Sequence, residues 1–196
     1  MKKVFLAGEG ANELGSWAKK PPYQDDSESG VLKALLQKIK NDGWQVSGAI
    51  RWKNIIKFQA GHHMGHEERN VLGACLRAIE KNCSIIAFSR DADADESRQE
   101  RIGKGIKAAY ERFNTKIGII GGCAVPCIEG WILAFLGMTQ TEEFASSKAC
   151  DSLKREVGNE PNTKQMVQII ARTDMKNIAH DARALKEWLK TAQHIL

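Results

Sequence analysis

Apolar residues along the first two-thirds of the chain follow two alternating rhythms. Val4-Phe5-Leu6-Ala7, Ser84-Ile85-Ile86-Ala87-Phe88 and Ile117-Gly118-Ile119-Ile120 are short unbroken runs rich in β-branched and aromatic residues, and they predict strands. Trp44 to Ile50 predicts another strand, and Ile55 to Phe58 a weaker one. Between these runs the period lengthens. Val31, Leu32, Leu35, Leu36 and Ile39 share one helical face, as do Val71, Leu72, Cys75, Leu76 and Ile79, and then Ile102, Ile106, Tyr110 and Phe113. Cys127 to Leu136 predicts a further helix. Residues 15–29, with Pro21, Pro22, Asp25 and Asp26, and the segment Gly61 to Gly65 predict loops.

Strands that are apolar throughout have no solvent face, and strands alternating with helices pair in parallel. The expected fold is an α/β three-layer sandwich with a mostly parallel central sheet. The last third has no strand signal. Met166, Val167, Ile169 and Ile170 form one apolar cluster, and Ile178, Ala182, Leu185, Trp188 and Leu189 another. The expected organisation is an α/β domain over residues 1–137 with a helical extension, 138–196, packed on it.

Composition narrows the picture further. The 196 residues are 42% hydrophobic and 27% charged, a globular balance. No apolar run approaches the roughly 18 residues of a membrane span, and Glu9 interrupts the basic-then-apolar start too early for a signal peptide. A soluble, cytoplasmic protein is expected. Lys and Arg exceed Asp and Glu by 20 to 16 over residues 1–137 and by 9 to 8 over 138–196. The net charge of +5 is therefore spread out, which permits a polyanionic partner without demanding one. Five cysteines without an export signal predict free, buried thiols. Cys123 and Cys127 lack the spacing of a redox pair, and no second pair completes a zinc site.

In an open parallel sheet, sites form beyond the carboxyl ends of the strands. The first strand runs into Gly8-Glu9-Gly10, followed by Asn12 and Glu13; the strand ending at Phe88 runs into Asp91-Ala92-Asp93-Ala94-Asp95-Glu96. If the two strands are neighbours, Glu9 and the aspartates share one edge. Crowded carboxylates repel, which forces one to stay protonated unless a hard dication such as Mg²⁺ or Mn²⁺ is bound. In an extended segment Asp91, Asp93 and Asp95 would project to one side. The calcium-loop alternative fails, because Glu96 stands where Gly is needed and Ile102 where the bidentate Glu is needed. A solvated acidic turn capping the helix near residue 97 is the competing reading.

This pattern resembles the TOPRIM domain of topoisomerases, primases and OLD-type nucleases. The three segments Leu6-Ala7-Gly8-Glu9-Gly10, Phe88-Ser89-Arg90-Asp91-Ala92-Asp93 and Ile128-Glu129-Gly130-Trp131 are similar to those of small bacterial TOPRIM-like proteins. The resemblance spans roughly residues 1–137. It implies that Glu9 serves as general acid or base or as a metal ligand, and that Asp91 and Asp93 hold Mg²⁺. Asp95 and Glu96 depart from the pattern and leave open which pair binds metal.

Glu129 is a further candidate ligand, or else a first-turn helix carboxylate favoured by the dipole. Lys53, Lys57 and Arg90 are candidate phosphate contacts, or scattered surface charge. Gly61-His62-His63-Met64-Gly65-His66 reads as a loop facing substrate or solvent. No phosphate loop and no Gly-x-Ser-x-Gly elbow occurs, so any ATP-driven step would fall to a protein partner such as an ATPase.

Two functions are carried forward. One is an Mg²⁺- or Mn²⁺-dependent nuclease acting on nucleic acid, DNA ahead of RNA; nucleotidyl transfer fits the same carboxylates. The kinds of protein that carry such domains add a bacterial defence context. The other is a non-catalytic nucleic-acid or partner-binding module on the same scaffold.

Overall fold

The computed structural model describes residues 1–59, 64–113 and 117–196. Four strands, β1 (Lys2–Gly8), β2 (Trp44–Arg51), β3 (Ile85–Asp91) and β4 (Gly118–Ala124), form one sheet in the order β2-β1-β3-β4, with every pair parallel. The chain leaves β1 toward one edge and returns to place β3 on its other side. The β1/β3 boundary is therefore the topological switch point of the sheet.

The alternation along β1 shows why its run is apolar throughout. Val4 and Leu6 enter one hydrophobic core and Phe5 and Ala7 the other; Ile85 and Ala87 likewise oppose Ile86 and Phe88 on β3. Helices α3 (His66–Glu80) and α4 (Arg98–Phe113) cover the Phe5 face. The Val4 face is covered by α2 (Val31–Ile39), α5 (Ile128–Phe135), α6 (Ser146–Val157), α7 (Thr163–Arg172) and α8 (Arg183–Ile195). A single turn of helix, α1 (Ala11–Leu14), follows β1. The three-layer α/β sandwich expected from the sequence is the observed fold.

No break in the core falls at residue 137. Leu153, Ile170, Trp188 and Leu189 belong to the same buried cluster as Leu6, Leu35 and Trp131. Trp188 lies 6.1 Å from Trp131, ring centroid to centroid. Its indole Nε1–H donates to the Phe88 carbonyl oxygen at 2.9 Å. Helix α8 is thus part of the layer that closes one face of the sheet.

Two local expectations are corrected. Ile55 to Phe58 is not a strand: after a 3-10 turn at Trp52–Asn54, the segment lies along α3. Its Phe58 N–H donates to the Arg69 carbonyl, Ile55 is buried, and Ile56 is 88% exposed. The last strand runs beyond the Ile117-to-Ile120 segment that predicts it, through Gly121 and Gly122 to Ala124. Gly121 is needed because the Phe88 ring lies where its side chain would go; a Cβ there would sit 2.2 Å from the ring. Among the described residues no helix is long and apolar enough to cross a membrane.

Trp188→Ala removes a buried aromatic and strands the hydrogen bond to Phe88. It should cost about 3–5 kcal/mol, read as a fall in Tm of roughly 10 °C. Ile56→Ala should stay within about 0.5 kcal/mol. Equal effects of the two in a thermal melt would show that the 138–196 segment is not part of the sheet's core.

Candidate functional site

The carboxyl ends of β1 and β3 bring Glu9 and Asp91 into direct contact. Glu9 Oε1 accepts the backbone N–H of Asp91 at 3.1 Å, and also the Nη1–H of Arg90. Asp91 Oδ1 accepts the backbone N–H of Ile128 at 3.0 Å, at the start of α5. That helix also delivers Glu129, whose Oε1 lies 3.5 Å from Asn12 Nδ2. One cleft of about 330 Å³ is lined by Glu9, Asn12, Glu13, Asp91, Ile128 and Glu129.

Local sequence explains the convergence. Gly8 ends β1 where the chain must fold back; a Cβ there would meet Glu13 Cβ at 2.7 Å. Glu13 turns inward and its Oε2 accepts the Gly10 N–H at 2.8 Å. After β3, Ala92 N–H donates to Ala124 O and Asp93 N–H to Pro126 O, both at 2.8 Å. These two bonds tie the loop after β3 to the loop after β4 and so set Asp91 beside the first turn of α5.

The electrostatics are strained. Burial, with the charges of Glu9, Glu13, Glu129 and Asp93, pushes the Asp91 carboxyl up to about 8. Burial also raises Glu13, helped by Glu9 and Glu129 and opposed by the backbone amides it accepts. Arg90 links Glu9 to the buried Glu67.

The other aspartates turn away. The run after Asp91 does not stay extended, because Asp93 adopts a left-handed backbone with φ 50°. Asp93 Oδ2 accepts Arg98 Nη1–H at 2.9 Å, and its Oδ1 accepts the Ser146 hydroxyl at 3.3 Å. Asp95 accepts the Ser97 hydroxyl at 2.8 Å and pairs with Arg101; Ser97 and the arginines hold it below the usual carboxylate range. The expectation that Asp91, Asp93 and Asp95 share one side therefore fails. Arg98 also donates to the carbonyls of Asp91 and Ala92, which fixes the turn.

Lys53, Lys57 and Arg90 do meet. They line a second cleft, of about 400 Å³, with Glu9, Trp52, Ile55, His66 and Asn70. Glu9 borders both clefts. Lys53 also borders a wider groove of about 640 Å³ that includes Lys19, Lys20, Arg51, Arg77 and Lys81. His66 opens α3 and approaches Asn70 at 3.2 Å; His62 and His63 lie outside the described residues.

Glu67, Arg98 and Arg101 carry much of this network and have no motif in the sequence. Glu67 is 6% exposed, accepts Trp52 Nε1–H at 2.9 Å, and faces both Arg90 and Arg98. Its one sequence signal is a carboxylate in the first turn of an amphipathic helix, which is also the signature of ordinary dipole stabilisation.

The cleft carboxylates are hard oxygen donors suited to Mg²⁺ or Mn²⁺. Among the described residues, the group whose ligand atoms all lie within 4.8 Å of one another is Cys127, Glu129 and Cys150; Glu9, Asp91 and Glu129 are spread more widely. That spacing fits an ion held by one or two carboxylates, with water and phosphate filling the remaining positions. Comparisons with protein-family models, curated proteins and solved structures find no match to this chain.

Because the folded state raises Asp91 from 3.8 to about 8, it binds a proton there that the unfolded chain has already released. Stability from this group is full below pH 4 and is lost as pH rises through about 8. Asp91→Asn keeps an acceptor for the Ile128 amide and removes the charge. Without divalent cations, its Tm should exceed wild type at pH 8 and match it near pH 4. Mg²⁺ should raise the wild-type Tm at pH 8 and leave the variant unmoved. Parallel Tm–pH curves would contradict the placement of Asp91.

Proposed function

We propose that the protein catalyses Mg²⁺- or Mn²⁺-dependent phosphoryl transfer on nucleic acid, as a TOPRIM-like nuclease. The carrying observation is the contact between Glu9 and Asp91 at the switch point, beside a cleft lined by Lys53, Lys57 and Arg90. A carboxylate pair beside a cationic cleft matches a phosphodiester, which needs its negative charge neutralised and one oxygen polarised.

Asp91 and Glu9, with Glu129 at the rim, would hold the cation, which when bound supplies Lewis-acid polarisation of a phosphoryl oxygen. The protein's own residues do the rest. Lys53, Lys57 and Arg90 position the phosphate. Both Glu9 hydrogen bonds named above fall on Oε1, which leaves Oε2 to accept a proton from an attacking water. Asn12 steadies Glu129 and is itself held by the Thr163 hydroxyl at 3.0 Å, so α7 supports the cleft. The groove through Lys53 adds Lys19, Lys20, Arg51, Arg77 and Lys81 to the cations that a strand of nucleic acid would meet. DNA is the nucleic acid proposed, an ATPase the kind of protein partner, and bacterial defence the setting.

A second reading has its own support. Asp93 and Asp95 are paired with Arg98 and Arg101, and Arg90 sits on Glu9. Fewer carboxylates are free for metal than the TOPRIM pattern supplies, as expected of a module that binds nucleic acid or a partner without cleaving.

A labelled DNA and RNA panel titrated with Mg²⁺ and Mn²⁺ separates the two. The nuclease reading expects metal-dependent cleavage that Asp91→Asn lowers by roughly 10²–10³-fold or more. Lys53→Ala and Lys57→Ala should weaken binding at low salt and each flatten the salt dependence by about one counterion. Cleavage that survives in clean Asp91→Asn protein contradicts the assignment; binding without turnover at any metal concentration establishes the second reading.

A further inference from the structure

Two cysteines approach Glu129 and line neither of the two clefts that meet at Glu9. Cys127 caps the N-terminus of α5, and Cys150 comes from α6, which packs against it. The ligand atoms of Cys127, Glu129 and Cys150 all lie within 4.8 Å of one another. Cys127 is 2% exposed, and its sulfur's hydrogen bond is a weak one, to Ser146 O at 4.0 Å. Cys150 is exposed, contrary to the expectation that all five thiols are buried, so the cluster opens to solvent at one end. Cys75, Cys83 and Cys123 are buried elsewhere.

We propose that Cys127, Cys150 and Glu129 form a binding site for a thiophilic divalent cation of the Zn²⁺ class. Two sulfurs and one carboxylate oxygen are a borderline-soft donor set that prefers Zn²⁺ over Mg²⁺. Three protein ligands leave the fourth tetrahedral position to water, which makes the ion exchangeable. Binding replaces two thiol protons, released to solvent, with two metal–sulfur bonds, and Glu129 contributes a carboxylate oxygen. Burial, with the Glu129 charge, pushes the Cys127 thiol up in the metal-free protein, so an ion binds there by displacing the thiol proton. Glu129 also lines the Asp91 cleft, so an ion held by the thiolates draws one carboxylate out of that crowd. The site does not rest on the phosphoryl-transfer reading, and its test uses metal alone.

The experiment titrates reduced full-length protein with Cd²⁺, whose thiolate complexes absorb in the ultraviolet, and then displaces it with Zn²⁺. One equivalent should produce the band, and excess Mg²⁺ should not remove it. Cys150→Ser and Cys127→Ser should each weaken binding by about 100-fold or more, since even indirect supports of metal sites cost 10–100-fold. Cys123→Ser should bind as wild type. Because Cys127 is buried and its variant can misfold, the exposed Cys150 gives a second measurement: Zn²⁺ should slow its alkylation at least about tenfold, and Glu129→Gln should relieve part of that protection in a protein with both thiols intact. Absence of the Cd²⁺ band in wild type, a band that survives Cys150→Ser, or alkylation indifferent to Zn²⁺ would each overturn the site.

Discussion

The crowding of negative charge around Asp91 is the constraint on which the rest of the molecule turns. A carboxyl at the end of a buried strand, with Glu9, Glu13 and Glu129 around it, is unfavourable as an anion by itself. The fold tolerates it through three features. The Ile128 amide donates to Asp91, the Asp91 amide and Arg90 hold Glu9, and Glu67 anchors Arg90 from below. Such an arrangement holds unfavourable electrostatics that a bound cation would relieve, and strongly perturbed groups of this kind concentrate at functional sites.

The scaffold converts sequence-distant residues into that cluster through parallel pairing. Placing β3 directly beside β1 puts residues 9 and 91 at one edge, and β4 beside β3 adds α5 with Glu129. Helices beyond residue 137 complete the same core and also reach the site, since Ser146 touches Asp93 and Thr163 holds Asn12. The segment that looks like an appendage in the sequence is thus structurally joined to the cleft.

The sheet was legible because its central strands β1 and β3 are apolar on both faces, and burial on both faces is what the alternating cores impose. Glu9 and Asp91 were legible because a glycine-flanked Glu and an acidic run each follow an apolar strand. What the sequence hid was direction. Spacing gives Asp91, Asp93 and Asp95 one side only if the backbone stays extended, and the turn at Asp93, clamped by Arg98, sends the later two elsewhere. Ile55 to Phe58 is apolar enough for a strand, yet its amide bonding goes to α3. Glu67 and Arg98 were invisible because their roles come from partners far along the chain, which no local periodicity encodes. The meeting of Cys127 with Cys150 depends on how α6 packs against α5, a tertiary fact without a spacing rule.

The most direct test is anomalous diffraction from crystals soaked in Mn²⁺. A manganese peak is expected in the cleft between β1 and β3, bonded to Asp91 and bordered by Glu9. A well-ordered cleft with no peak at millimolar Mn²⁺, or an ion bound only elsewhere, would contradict the claim that these carboxylates are assembled to hold a hard dication.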